Sequence, residues 1–152
     1  MSRRKGRLVL VLVLVVLLGV VVVRRYTCLR FTSGEVAMPP VTAGPAEVVR
    51  TYVAALDEHD LGTATALSTP EHVDEAEDWH RNLISVSDLQ VKEPYPDGSD
   101  TGYAEAWWVA VTFDVNRCDR FPRVEGNDSV WGYTVVRNSP AQRWLISNEG
   151  PL

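Results

Sequence analysis

Residues 103–115, YAEAWWVAVTFDV, alternate as a strand does when a sheet buries one of its faces. Trp107, Val109, Val111, Phe113 and Val115 fall on one side; Trp108, Ala110, Thr112 and Asp114 fall on the other. The run is rich in β-branched and aromatic residues, and it is long enough to be the spine of a sheet. Its neighbours in sequence keep the same two-residue period. Upstream, Ile84, Val86, Leu89 and Val91 repeat it with one slip, which predicts a strand with a bulge. Downstream, residues 130–136 and 143–147 form two more strands around the turn Asn138-Ser139-Pro140. Residues 94–102, PYPDGSDTG, and 117–128 are polar loops. Strands joined in this order predict an antiparallel meander.

Ahead of the sheet the period lengthens to that of a helix. Gly44-Pro45-Ala46-Glu47 opens one, with proline at the first helical position and an acid in the first turn. Val48, Val49, Tyr52, Val53 and Leu56 share its apolar face. Asp57-Glu58-His59-Asp60 breaks the pattern, and Asp60 can cap a short second helix through Leu61, Ala64 and Leu67. Thr69-Pro70-Glu71 starts a third helix running to about Leu83. Its apolar face is Val73, Ala76, His80 and Leu83.

Three helices followed by a curved antiparallel sheet make an α+β layout. The opening VVRTYVAALDEHDLGTATAL and the close WGYTVVRNSPAQRWLISNEG resemble the first two helices and the final hairpin of the nuclear transport factor 2-like superfamily. That superfamily is also called the SnoaL-like or ketosteroid-isomerase-like cone fold. The resemblance covers residues 45–150 and implies the cone fold. It implies no single activity, because the fold hosts enzymes, ligand binders and scaffolds.

Before the domain stands LVLVLVLVVLLGVVVV, residues 8–23, with no charge and with Arg7 and Arg24 on its flanks. Sixteen helical residues reach roughly 24 Å, and arginines can snorkel toward the faces of a core about 30 Å thick. Arg24-Arg25-Tyr26 is not a small-residue cleavage site, so the run reads as an uncleaved signal anchor. The expected organisation is therefore a cytoplasmic tail at 1–7, a transmembrane anchor at 8–23 and a linker at 24–44. An extracytoplasmic domain at 45–152 follows, on a single-pass protein of the cell membrane. TSGEVAMPPVTAG, residues 32–44, has the composition of an unstructured linker.

Charge divides the chain. Seven of its 15 basic residues stand at or before Arg30, and all 20 acids follow Gly34. A domain with 8 basic against 20 acidic residues repels a phosphate backbone, so nucleic acid is excluded as a partner. Arginine outnumbers lysine 13 to 2, the flavour of a GC-rich, actinobacterial-type genome. Cys28 and Cys118 are the two cysteines. A bridge between them would close about 90 residues and be worth about 4–5 kcal/mol. The sequence leaves open whether they meet.

Several side chains carry chemistry. The resemblance places Tyr52 where ketosteroid isomerases hold a phenol that donates to an oxyanion. Their two partner acids are missing: Ser68-Thr69-Pro70 follows the second helix, and the late-strand position falls near Gly132. Tyr52 is thus also readable as a core tyrosine. His80 has Asp114 as a partner for dehydratase chemistry, but Asp114 alternates away from Phe113. His59, His72 and His80 lack the spacing of a helical metal site, so no metal and no cofactor is implied.

Two functions are expected from these residues. The first is a non-catalytic accessory or protein-interaction domain, with Trp79 and Trp108 on the partner surface. It would serve an envelope complex or a homo-oligomer, much as membrane-anchored domains of this type do in bacterial secretion and conjugation systems and beside actinobacterial Mce transporters. The second is a small apolar-ligand pocket, binding or isomerising, lined by Tyr52, His80, Trp107 and Phe113.

Overall fold

The structure is a computed structural model and describes residues 13–16, 18–19, 33–99, 101–118 and 129–151. The chain divides into two units, 1–31 and 32–152. In the first, residues 13–16 and 18–19 are helical. The rest of the expected anchor lies outside the described residues, as does Cys28.

The second unit opens on helix α1, Pro45–Asp57, with Gly44 at its N-cap and proline in its first turn. Val48, Val49, Tyr52, Val53, Ala55 and Leu56 are buried along one side. His59 ends the turn at a positive φ of 57°. Asp60 then caps α2, Leu61–Ala66, by accepting from the Thr63 N–H at 3.0 Å. A 3-10 turn, Pro70–His72, leads into α3, Val73–Asn82. The strands are β1 (Leu83–Val91), β2 (Tyr95–Pro96), β3 (Glu105–Arg117), β4 (Ser129–Arg137) and β5 (Leu145–Pro151).

Among the described residues all pairings between strands are antiparallel, in the order β1-β3-β4-β5, with β2 added beside β3. Val109, Val111 and Phe113 point into the core with Trp131, Tyr133 and Val135 from β4. The inner faces of α1 and α3 add to that core, with Ala64, Leu67, Leu83, Trp144 and Ile146. β1 carries a register shift between Ser87 and Gln90, where Asp88 takes a positive φ of 54°.

The expected architecture of an N-terminal transmembrane helix and a three-helix cone fold is corrected on both counts. Among the described residues no helix is long and apolar enough to cross a membrane. Among its described residues the folded unit has four helices, counting the 3-10 turn, and a five-stranded antiparallel sheet. Pro70 starts a tight turn, and the α-helix proper begins only at Val73. Inside the stretch read as a loop, Tyr95 and Pro96 pair with Trp108 and Trp107, because the Asp97 N–H donates to the Ala106 carbonyl at 2.9 Å.

Residues 33–44, expected as a linker, are tied down by hydrogen bonds. The Gly34 N–H donates to the Glu58 carbonyl at 2.8 Å and the Val36 N–H to Asp60 Oδ2 at 2.9 Å. Thr63 Oγ1 donates to the Val36 carbonyl, and Arg143 Nε to the Pro39 carbonyl. Small residues and prolines do not keep a segment loose when its backbone groups find partners.

Candidate functional site

The chain between α2 and α3 is lashed to the last strand. The Thr69 N–H donates to the Ile146 carbonyl at 2.8 Å, the Ile146 N–H donates to the Leu67 carbonyl at 2.7 Å, and Ser68 bridges Ile146 in parallel. This fixes the 3-10 turn against β5, so that His72 faces Glu149. Glu149 is itself the register partner of Tyr133 on β4. Tyr52 comes from α1 and sets its ring edge-on to Tyr133, centroids 5.8 Å apart. Four polar side chains from four elements thus meet inside the core.

His72 Nε2 is the atom they share. It stands 3.5 Å from the Tyr52 hydroxyl and 3.6 Å from Glu149 Oε2. Protonated, this nitrogen donates toward Glu149; unprotonated, it accepts from Tyr52. The tautomer therefore selects which oxygen is engaged. His72 is 6% exposed and the Glu149 side chain 1%. The His72 imidazole and the Trp79 indole are the donors that face Glu149.

Burial pushes the Glu149 carboxyl above its usual range; His72 and the Trp79 indole oppose that push, and the Glu75 carboxylate adds to it. Burial likewise raises the Tyr52 phenol, helped by Glu149 and Glu75. The Tyr133 phenol is raised by burial first and by Glu149 second. The site thus favours neutral forms of all three groups and holds protons that water would release.

Of the residues expected to line a pocket, Tyr52 and Phe113 belong to the buried core and Trp107 packs against it. Tyr52 joins the polar cluster. Phe113 is buried in the core with its ring edge-on to Trp79, centroids 6.5 Å apart. Trp107 is half-buried and packs on the core. His80 stacks edge-on with His59, centroids 5.4 Å apart. Asp114 is exposed beside Ser87.

The two tryptophans expected on a partner surface are also separated. Trp79 is buried, edge-on to Trp131 at 5.6 Å, with the Arg117 guanidinium 4.2 Å from its ring. Trp108 lies on the other face of the sheet, against Gly132. Cys118 is disulfide-bonded; its expected partner Cys28 lies outside the described residues. Among the described residues no group of three His, Cys, Asp or Glu side chains is placed to hold a metal ion.

Sequence reasoning missed His72 and Glu149. His72 was weighed only as a metal ligand, and residues 148–150 lay past the expected end of the last strand. An acid between Asn148 and Gly150, in a segment otherwise ready to pair, was the available signal.

No family model matches the chain, and no curated protein matches it. Its fold is similar to the solution structure of a SEC-C motif containing protein from Rhodopseudomonas palustris, at a TM-score of 0.50 and 16% identity. That match covers 74% of this chain and 82% of the other. The resemblance to the nuclear transport factor 2-like, SnoaL-like superfamily is thereby corrected. No family model supports it, and the structural likeness is to a protein described by another motif. The two quoted stretches are patterns of helix and hairpin that many α+β chains can satisfy.

Proposed function

We propose that this domain binds a small molecule at its interior polar cluster and exchanges a proton with it, using Tyr52, His72 and Glu149. One observation carries this reading. A carboxylate 1% exposed, pushed above its usual range by burial, faces an imidazole at 3.6 Å. Burying an ionisable group costs stability, and folds keep that cost where the group has work to do. His72 is placed to take or give the proton, Tyr52 to donate a hydrogen bond, and Glu149 to hold a proton beside them.

Native mass spectrometry of the full chain, purified without denaturation, tests this. Retention of a molecule of a few hundred daltons supports it, provided that Tyr52→Phe or His72→Asn sheds the molecule and both variants melt near the wild type. Variants that lose stability heavily, with no retained molecule in any preparation, would leave the cluster a structural feature and end the proposal.

A second reading, a non-catalytic interaction domain working as a homo-oligomer, draws on one side chain. Tyr95 is 54% exposed, opposite Trp108 on the face of the sheet away from the helices. Light scattering on the wild type and on Tyr95→Ser tests it. A monomer at all concentrations, unchanged by the substitution, removes this reading.

A further inference from the structure

His72 Nε2 stands between two elements and has closed on neither. It is 3.5 Å from the Tyr52 hydroxyl on α1 and 3.6 Å from Glu149 Oε2 on β5. Both separations exceed the roughly 2.7–3.2 Å at which such hydrogen bonds close. One ring nitrogen cannot accept and donate at once, so the two contacts are alternatives. We propose that the charge on Glu149 chooses between them, which makes the buried junction a proton-operated switch. With Glu149 neutral, Nε2 is bare, accepts from the Tyr52 hydroxyl and ties the 3-10 turn to α1. With Glu149 ionised, Nε2 carries the imidazole proton, donates it to the carboxylate and ties the turn to β5. The carboxyl proton leaves to water, and the single imidazole proton moves from Nδ1 to Nε2. The switch works without a ligand.

The surroundings provide for both states. Among the described residues the polar groups facing the junction are Tyr52 from α1, Ser68 ahead of the turn, His72 in it, Glu75 and Trp79 from α3, Tyr133 from β4 and Glu149 from β5. Burial and the Glu75 carboxylate oppose ionisation of Glu149, while the His72 and Trp79 donors favour it. The neutral form is therefore the resting one, and the ionised form already has its donors in place. The phenol that His72 releases has a second acceptor. Ser68 Oγ spends its proton on the Ala64 carbonyl at 3.0 Å, which leaves its oxygen to take the Tyr52 hydroxyl. Neither state strands a buried polar group.

The backbone already lashes residues 67–69 to Ile146, so the turn itself stays in place. What changes is the side-chain tie at His72, the last residue of the turn, from which α3 starts. Two discrete arrangements of one packed junction are what a switch requires.

The tautomer of His72 reads the switch directly. Heteronuclear NMR on the isotope-labelled full chain, from pH 4.5 to about 9, follows the His72 ring nitrogens, the Glu149 Cδ and the Tyr52 Cζ. The His72 signals are assigned by their loss in His72→Asn. As the Glu149 Cδ resonance shifts, Nε2 is expected to pass from bare to protonated in the same step, and the Tyr52 Cζ resonance to move with it as the phenol changes acceptor. Glu149→Gln should lose the step, and the wild-type titration stands alone if that variant does not fold. A single tautomer throughout, a ring protonated at both nitrogens before Glu149 ionises, a Tyr52 resonance that ignores the step, or a carboxyl that stays neutral over the whole range each overturns the switch. So does a step that survives in Glu149→Gln.

Discussion

The indole of Trp108 on β3 lies over Gly132 on β4, in the space that a side chain at 132 would occupy. The two residues sit diagonally across the strand pair, since Trp108 is opposite Thr134 and Ala110 opposite Gly132. Gly132 is the position where the superfamily resemblance looked for a catalytic acid. The structure gives it to a packing contact, and the acid of the interior comes from Glu149 instead. Gly132→Ala should therefore destabilise the domain by about 1–3 kcal/mol in urea unfolding, the range for overpacking. In a Gly132→Ala/Trp108→Ala double variant the losses should fall short of additive, because the second change removes the clash made by the first. Strict additivity would mean that the indole does not fill this space.

Glu149→Gln should change how stability depends on pH. The folded carboxyl titrates above its ordinary value of 4.5, because burial disfavours its charge. As the pH rises past that value, the unfolded chain releases the proton while the folded chain still holds it. Folding then loses stability until the folded group ionises too. The amide has no proton to lose. The melting temperature of the variant should thus gain on the wild type from about pH 4.5 toward neutrality. A difference that stays flat over that window would show that Glu149 titrates normally.

Asp60 works in the opposite sense. The backbone N–H of Val36, and after it that of Thr63, hold its carboxyl below the usual range. Its contribution is present above the ordinary value of 3.8 and is lost as the pH falls through the folded one. Asp60→Ala removes the α2 cap together with the tie to residue 36, and should cost about 1–2 kcal/mol. Hydrogen exchange should quicken at the amides of Val36 and Thr63 and stay unchanged in β3 and β4. Unaltered exchange at Val36 would detach the 33–44 segment from this residue.

Asp78 offers a contrast between two ion pairs on one acid. Its Oδ2 meets Arg117 at 2.9 Å, and that guanidinium is 3% exposed; its Oδ1 meets Arg81 at 3.6 Å, and that one is 66% exposed. Asp78→Ala removes this ion pair from the buried arginine and should cost about 1–2 kcal/mol, tempered because Asp78 itself is half in water. Arg81→Ala should cost less than about 1 kcal/mol. Equal losses in the two variants would place Arg117 in water.

Much of the element order was legible because it follows from local physics. Pro45 and Asp60 mark helix starts by capping chemistry, and the β3 alternation separates Val109, Val111 and Phe113 from Asp114 without reference to any partner. The segment 33–44 was not legible, because its order comes from Glu58, Asp60 and Arg143, which are distant in sequence. His72 was hidden for a related reason. A helix beginning at Pro70 and a 3-10 turn there point the same side chain in different directions.

By itself the sequence determined where the chain bends and which faces are apolar, since propensity, caps and periodicity act over a few residues. It also determined the charge asymmetry. Only the tertiary structure decided that Glu149 points inward. On β5, Ile146 and Glu149 both face the core although two residues lie between them, because the register with β4 shifts between Thr134 and Val135. A one-residue slip turns every later side chain to the other face. Such a slip belongs to the pairing of two strands, so neither strand's own sequence records it.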